Sequence, residues 1–303
     1  MMSRDLNSTA GATAPIAMDD AIAAPAGSAR SARRRSNIPV AIAALWLLLL
    51  IVTSAFAAWL PLTDPADDTG HTHLTPFTSW SEPLGTDQLG RSQLSRVVYG
   101  ARISLAAGVL SAAIAFVVGM AIGLVAGYRR GLFDDLVGLI TDALLSFPGL
   151  VVLLALAATM GPSLRVVVVG LSIVSLPTFI RLSRANTLRV STTDFVTAAR
   201  ATGASTPRIL SREVLPNIVG PVSTYGVVIV AVLIVAESSL SYLGLGVRPP
   251  TPTWGVMISE GQSQLAAHPW SVAVPGLALF STVYSLNMIG EWLRRRDGLS
   301  NRI

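Results

Sequence analysis

Long apolar runs with few charges dominate this chain. Six of them, residues 38–60, 103–126, 136–160, 164–180, 218–240 and 271–289, approach or exceed the length of a membrane span. A hydrocarbon core of roughly 30 Å takes about 20 apolar residues in a helix. The pattern therefore predicts an all-α, polytopic membrane protein with six transmembrane helices. The third run is interrupted by Ser146-Phe147-Pro148-Gly149, where proline removes a backbone donor and predicts a kink. The fourth is short, with Arg165 at one end and Pro177 near the other, and Gly161-Pro162-Ser163 is the turn signal before it.

Arginine is distributed unevenly between the spans. With the N-terminus inside, the inner segments 1–37, 127–135, 181–217 and 290–303 hold five, two, six and four arginines, which makes 17 of the 22. Arg91, Arg96, Arg102, Arg165 and Arg248 fall on or near the outer side. The positive-inside rule then predicts that both termini are cytoplasmic. The expected organisation is a disordered cytoplasmic tail over 1–37, a first transmembrane helix over 38–60 and an extracytoplasmic loop over 61–102. A core transmembrane domain follows over 103–290, with a long inner loop at 181–217, and a cytoplasmic tail closes the chain over 291–303. Arg30, Arg33, Arg34 and Arg35 precede the first span and anchor it against anionic lipid. A signal peptide is the competing reading. The apolar run behind these arginines is too long for it, and no small-residue cleavage site follows closely.

Composition acts mainly by exclusion. The chain is 51% hydrophobic and 13% charged, with a mean hydropathy of +0.60, whereas a soluble domain carries about 25% charged residues. All 22 Lys and Arg residues are arginine, which excludes a phosphate loop built on Gly-Lys-Ser/Thr and a Schiff-base lysine. The absence of cysteine excludes disulfides, thiolate nucleophiles and cysteine-bound metals. No cofactor or metal is expected on this chain, and any ATP and Mg would be held by partner subunits. The pI near 10.4 reflects basic inner loops, so no nucleic-acid partner is expected. His71 and His73, near Asp64, Asp67 and Asp68, have metal-ligating chemistry, but their long, polar, proline-punctuated setting reads as a solvated outer loop. Trp80 and Trp270 suit an interfacial belt.

Asp142 and Glu237 sit within or at the edge of apolar runs. Acids there are costly and usually face a cavity or a partner, which makes both candidates for a translocation path. The alternative is structural, a bonded neighbour for Asp142 and a tie at the end of the fifth helix for Glu237. Gly119, Gly123 and Gly127 form a smooth stripe for close helix contact, within the chain or against a partner. Glu291 and Arg294–Arg296 form a basic cluster at the membrane edge.

The inner loop 181–217 is longer than a connector requires, and long loops are commonly functional. Its sequence predicts a short helix over 193–202, capped by Thr193 or Asp194 and stopped by Gly203. A second helix is predicted over 206–215, with Thr206 as cap, Pro207 at its first position and Pro216 as its end. Ala198 and Ala199 leave one face small enough to enter a groove on another protein.

This stretch resembles the EAA motif of binding-protein-dependent ABC importer permeases: Glu-Ala-Ala, three residues, Gly, nine residues, Ile-x-Leu-Pro. Ala198, Ala199, Gly203, Leu215 and Pro216 stand at the matching spacings. Thr197 stands where glutamate is usual and Glu213 where isoleucine is usual. Residues 85–105, with Gly85-Thr86-Asp87-Gln88-Leu89-Gly90-Arg91 and Ser92 in place of the usual aspartate, resemble the segment before the second helix in C-type permeases for dipeptides, oligopeptides or nickel. Residues 236–255, from Ala236-Glu237-Ser238-Ser239-Leu240 to Thr253-Trp254-Gly255, resemble the same subgroup's segment after the fifth helix.

The resemblance implies a MetI-like fold and a non-catalytic permease in a bacterial inner membrane. It implies a second, B-type permease subunit, one or two ABC ATPase subunits, and an extracytoplasmic substrate-binding protein. It also implies that Ala198, Ala199, Arg200, Gly203, Ala204, Ser205, Pro207, Arg208, Leu215 and Pro216 form the element coupled to the ATPase. The alternative is an ion-gradient-driven secondary transporter. That class predicts paired broken helices in internal repeats, and no convincing repeat is found.

Overall fold

The computed structural model describes residues 37–300, with side chains through Arg296. The tail expected over residues 1–36 and the end of the C-terminal segment lie outside the described residues. Among the described residues there is no strand, only the isolated bridges Asp68–Arg91 and Thr86–Ser92. Ten helices carry the structure: α1 Ile38–Ala55, α2 Gln93–Arg129, α3 Leu132–Ser146, α4 Gly149–Met160, α5 Leu164–Val190, α6 Asp194–Ala201, α7 Thr206–Ile209, α8 Leu215–Tyr242, α9 Trp254–Gly261 and α10 Trp270–Ser300. Among the described residues five continuous helices are long and apolar enough to cross a membrane, or six if the bent pair α3 and α4 counts as one span.

The centre of the bundle is the α2–α5 pair. At Gly123 an added Cβ would lie 2.5 Å from the Ile180 carbonyl oxygen, and at Gly119 2.6 Å from Phe179 Cβ. The glycine stripe is therefore spent inside the chain, where it lets two backbones approach more closely than any side chain would allow. Around this seam Leu124, Phe179, Ile218 and Val222 form one buried cluster, and Ala107, Leu171, Leu233 and Leu240 form another nearer the opposite end. α1 attaches at the edge, where Trp46 Nε1 donates to Thr282 Oγ1 of α10 at 3.2 Å. Its Ile42, Leu45 and Leu49 remain exposed, as expected of a lipid-facing helix.

Several predicted boundaries move. The first helix ends at Ala55 rather than 60 and is followed by a single 3₁₀ turn, Ala57–Trp59. α2 starts at Gln93, so the outer loop ends at Ser92 and not at 102; Ser92 Oγ accepts from Ser95 N–H as the cap. Its 37 residues span about 55 Å at 1.5 Å per residue, well beyond the hydrocarbon. The polar first turns of such a helix can stand clear of the apolar layer.

α5 likewise runs on to Val190, so the first ten residues assigned to the inner loop are helix. The third span is not one kinked helix. α3 and α4 diverge by 80° at Phe147, which adopts the extended backbone (ψ 133°) that a following proline favours. Their 15 and 12 residues give arms of about 22 and 18 Å, each too short to cross alone.

The second loop helix does not end at Pro216. α7, a π turn at Leu210–Val214 and α8 run together as Thr206–Tyr242. The Leu215 N–H reaches back five residues to Leu210 O. This widened turn, ahead of a proline that can neither donate nor tolerate an ordinary helical approach, lets the helix continue.

Candidate functional site

The projection formed by α6, the Gly203 turn and α7 stands at one end of the bundle. Gly203 (φ +78°) donates its N–H to Arg200 O at 3.0 Å, and Ala204 donates to Ala199 O at 3.1 Å. These two bonds are the paired closure of a Schellman cap, and the left-handed backbone between them explains the glycine. The starts of the two helices differ from expectation. Thr193 is the cap residue of α6, but its hydroxyl turns back to Val190 O. Ser205, not Thr206, flanks α7, with Pro207 inside the first turn.

Burial divides the projection into a root and a tip. Val196, Ile209 and Val214 are 0–2% exposed and belong to the same cluster as Phe179 and Ile218. Ala199, Ala204 and Leu215 pack against that cluster, whereas Ala198, Arg200, Gly203, Ser205, Pro207, Arg208 and Pro216 are exposed. The expectation that Ala198 and Ala199 share one open face is corrected. Consecutive helix positions do not face the same way, and Ala199 turns inward. Arg200 lies over the Tyr128 ring with its Cζ 4.8 Å from the centroid, and its Nε donates to Tyr128 Oη at 3.1 Å. The last turn of α2 therefore braces the tip.

The two intramembrane acids have opposite surroundings. Glu237 is fully buried; Ser241 Oγ donates to its Oε1 at 2.7 Å, and Ser104 of α2 lies against it. Asp142 is exposed on α3 and pairs with Arg181 of α5. A second α3–α5 pair joins Asp134 to both Arg184 Nε and Nη2, the latter at 2.6 Å. Between the two pairs lies a cleft of about 340 Å³.

At the opposite end of the bundle is a buried charge network that sequence reasoning did not assemble. Arg91 Nε bonds Asp87 Oδ2 at 2.7 Å and its Nη2 bonds Glu260 Oε2 at 2.8 Å. Arg96 also bonds Asp87, and its Nη2 reaches Glu260 Oε2 at 2.7 Å. Trp254 Nε1 donates to Val97 O at 3.2 Å. The stretches 85–105 and 236–255 thus meet, and α9 is clamped onto the start of α2. Asp87, Arg91 and Arg96 were visible only as motif letters. Glu260, the single acid of α9, gave no spacing signal. His73 stacks on His268 with centroids 3.9 Å apart, and among the described residues no group of three or more His, Asp or Glu is placed to hold a metal.

A bundle of apolar spans with a firmly rooted projection at one end defines a multi-pass membrane permease. The chain belongs to the family of binding-protein-dependent transport system inner membrane components, whose profile matches residues 119–296. It is accordingly a permease subunit of an ABC importer. It is 37% identical over 283 residues to the glutathione transport system permease protein GsiD of Pectobacterium atrosepticum, covering 93% of this chain and 94% of that protein. It is also 37% identical over 256 residues to the di/tripeptide transport system permease protein DppC of Pseudomonas aeruginosa, covering 82% and 84%. Among solved structures, an inward-facing conformation of the MetNI methionine ABC transporter shares the fold. The TM-score is 0.56 at 18% identity, over 66% of this chain and 95% of that one.

Proposed function

We propose that this chain forms half of the translocation path of an ATP-driven importer of di- or oligopeptides in a bacterial inner membrane. A second, homologous permease forms the other half. One or two cytoplasmic ATPase subunits hold the ATP and Mg, and an extracytoplasmic binding protein delivers the peptide. The arginine asymmetry supports cytoplasmic termini and a cytoplasmic projection, since Arg129, Arg130, Arg189, Arg200, Arg208 and Arg212 all fall in the segments read as inner. The relatives' named cargoes, glutathione and di/tripeptides, support the peptide assignment.

One observation carries the reading. The tip is exposed and small, while its root residues Val196, Ile209 and Val214 are sealed into the core formed by α2, α5 and α8. A partner seated on Ala198, Gly203 and Pro207 therefore cannot move the tip without moving those helices. Closure of the ATPases would act through it as rigid-body displacement of a two-state bundle. The binding protein and peptide would bias the same two states by binding one more tightly. The test is purification of the chain from its native membrane, followed by reconstitution. ATPase subunits should accompany it, and peptide uptake into vesicles should require both ATP and the binding protein. Uptake by this chain alone, or uptake driven by an ion gradient, would refute the reading.

A further inference from the structure

The α3–α5 cleft is set apart by its charge. Asp142 lies ten residues beyond the start of α3 and Arg181 nine residues before the end of α5, each about 14 Å along its helix from the basic end of the bundle. Both side chains are open, Asp142 at 66% and Arg181 at 57% exposure. An open ion pair at the end of an apolar run is costly against hydrocarbon, so its face must meet water or polar groups. The cleft also holds Asp134, Asp135 and Arg184, giving three carboxylates against two guanidiniums. Asp134 and Arg184 are held to each other at one end, which leaves Asp142 and Arg181 as the accessible pair. Gly138 on the cleft wall has nothing within 4 Å of where a Cβ would stand.

We propose that this cleft lines the aqueous passage and that Asp142 and Arg181 form a weak relay site for zwitterionic peptides. The inference rests on the importer reading and names where its cargo touches this chain. Asp142 receives the terminal ammonium and Arg181 the terminal carboxylate, so a passing peptide replaces one ion pair by two. When the peptide leaves, the two side chains rejoin. The site is thereby occupied in both conditions and never left as an isolated charge. That exchange keeps binding shallow, as a conducting site requires. The surplus carboxylate in the cleft favours a ligand that leads with its ammonium group.

The chain has no cysteine, so Gly138→Cys provides the single reporter on this chain in the assembled importer. In vesicles transporting a dipeptide, this cysteine should react with a water-soluble cationic methanethiosulfonate at least tenfold faster than Leu48→Cys, placed on an exposed position of α1. Saturating dipeptide, delivered by its binding protein, should slow the reaction several-fold. Asp142→Asn should abolish that protection. Uptake that proceeds normally while the reporter stays inert would overturn this site and leave the importer reading standing. So would protection that persists in both Asp142→Asn and Arg181→Gln. Absence of peptide uptake by the unsubstituted complex would instead count against the importer reading itself.

Discussion

Arg96 and Glu260, 164 residues apart in the chain, share an ion pair at 2.7 Å in which the arginine is almost wholly buried. With Asp87 and Arg91 they tie α9 and the outer loop to the start of α2. Removing one member of a buried pair strands its partner and costs about 3–5 kcal/mol. Arg96→Leu should therefore lower the melting temperature of the purified permease and expose the loop over residues 61–92 to protease. Arg96→Lys should rescue little, because an ammonium lacks the fork that reaches both carboxylates.

Gly203 tests the turn at the tip. Its left-handed backbone (φ +78°) costs a residue with a Cβ about 1–2 kcal/mol, while nothing crowds the position. Gly203→Ala should leave membrane levels unchanged and reduce uptake per ATP hydrolysed. Gly203→Asn should retain more coupling than alanine, since asparagine tolerates this conformation. Equal coupling in all three proteins would show that the turn geometry is dispensable.

Neighbouring alanines should behave differently. Ala198 is exposed, whereas Ala199 packs on the core. Ala198→Trp should give a stable protein that binds or stimulates the ATPase poorly. Ala199→Trp should instead reduce the amount of folded permease, by about 1–3 kcal/mol of overpacking. Thermal melting alongside ATPase stimulation separates the two effects.

The glycines also divide by what surrounds them. Gly123→Leu would drive a side chain into the Ile180 carbonyl and Ser183, backbone that cannot yield, and should prevent recovery of folded protein. Gly138→Ala should be tolerated, and should gain up to about 1 kcal/mol from helix propensity. Melting of detergent-purified variants provides the comparison.

Much of this architecture is legible in the sequence because apolar runs must become helices in a bilayer. The ends of those helices are less legible. α2 and α5 continue past their apolar runs through residues such as Arg96 and Arg184, and a polar helical turn has the composition of a loop. Pro148 announced a break, but a single chain cannot show whether it bends a span or divides it by 80°. Pro216 reads as a stop in the sequence because the π turn that accommodates it is a backbone adjustment without a residue signature. Gly203 was readable because its reason is local. The pairing of Asp87, Arg91 and Arg96 with Glu260, and of Asp142 with Arg181, depends on tertiary placement that no spacing encodes. That Ala198 and Ala199 face different ways follows from helix geometry, which sets consecutive positions about 100° apart; which of them turns inward is set by tertiary packing.

The importer reading requires that work reach this subunit by contact at the projection's tip. Ala198→Cys places a thiol there, to be paired with single cysteines introduced over the surface of the co-purified ATPase. In the reconstituted importer a short bifunctional thiol crosslinker should join the two chains at specific pairs, stop peptide uptake, and release it again when the link is cleaved. If no ATPase position can be linked to residue 198 while uptake proceeds at its normal rate, force enters elsewhere and the account is wrong.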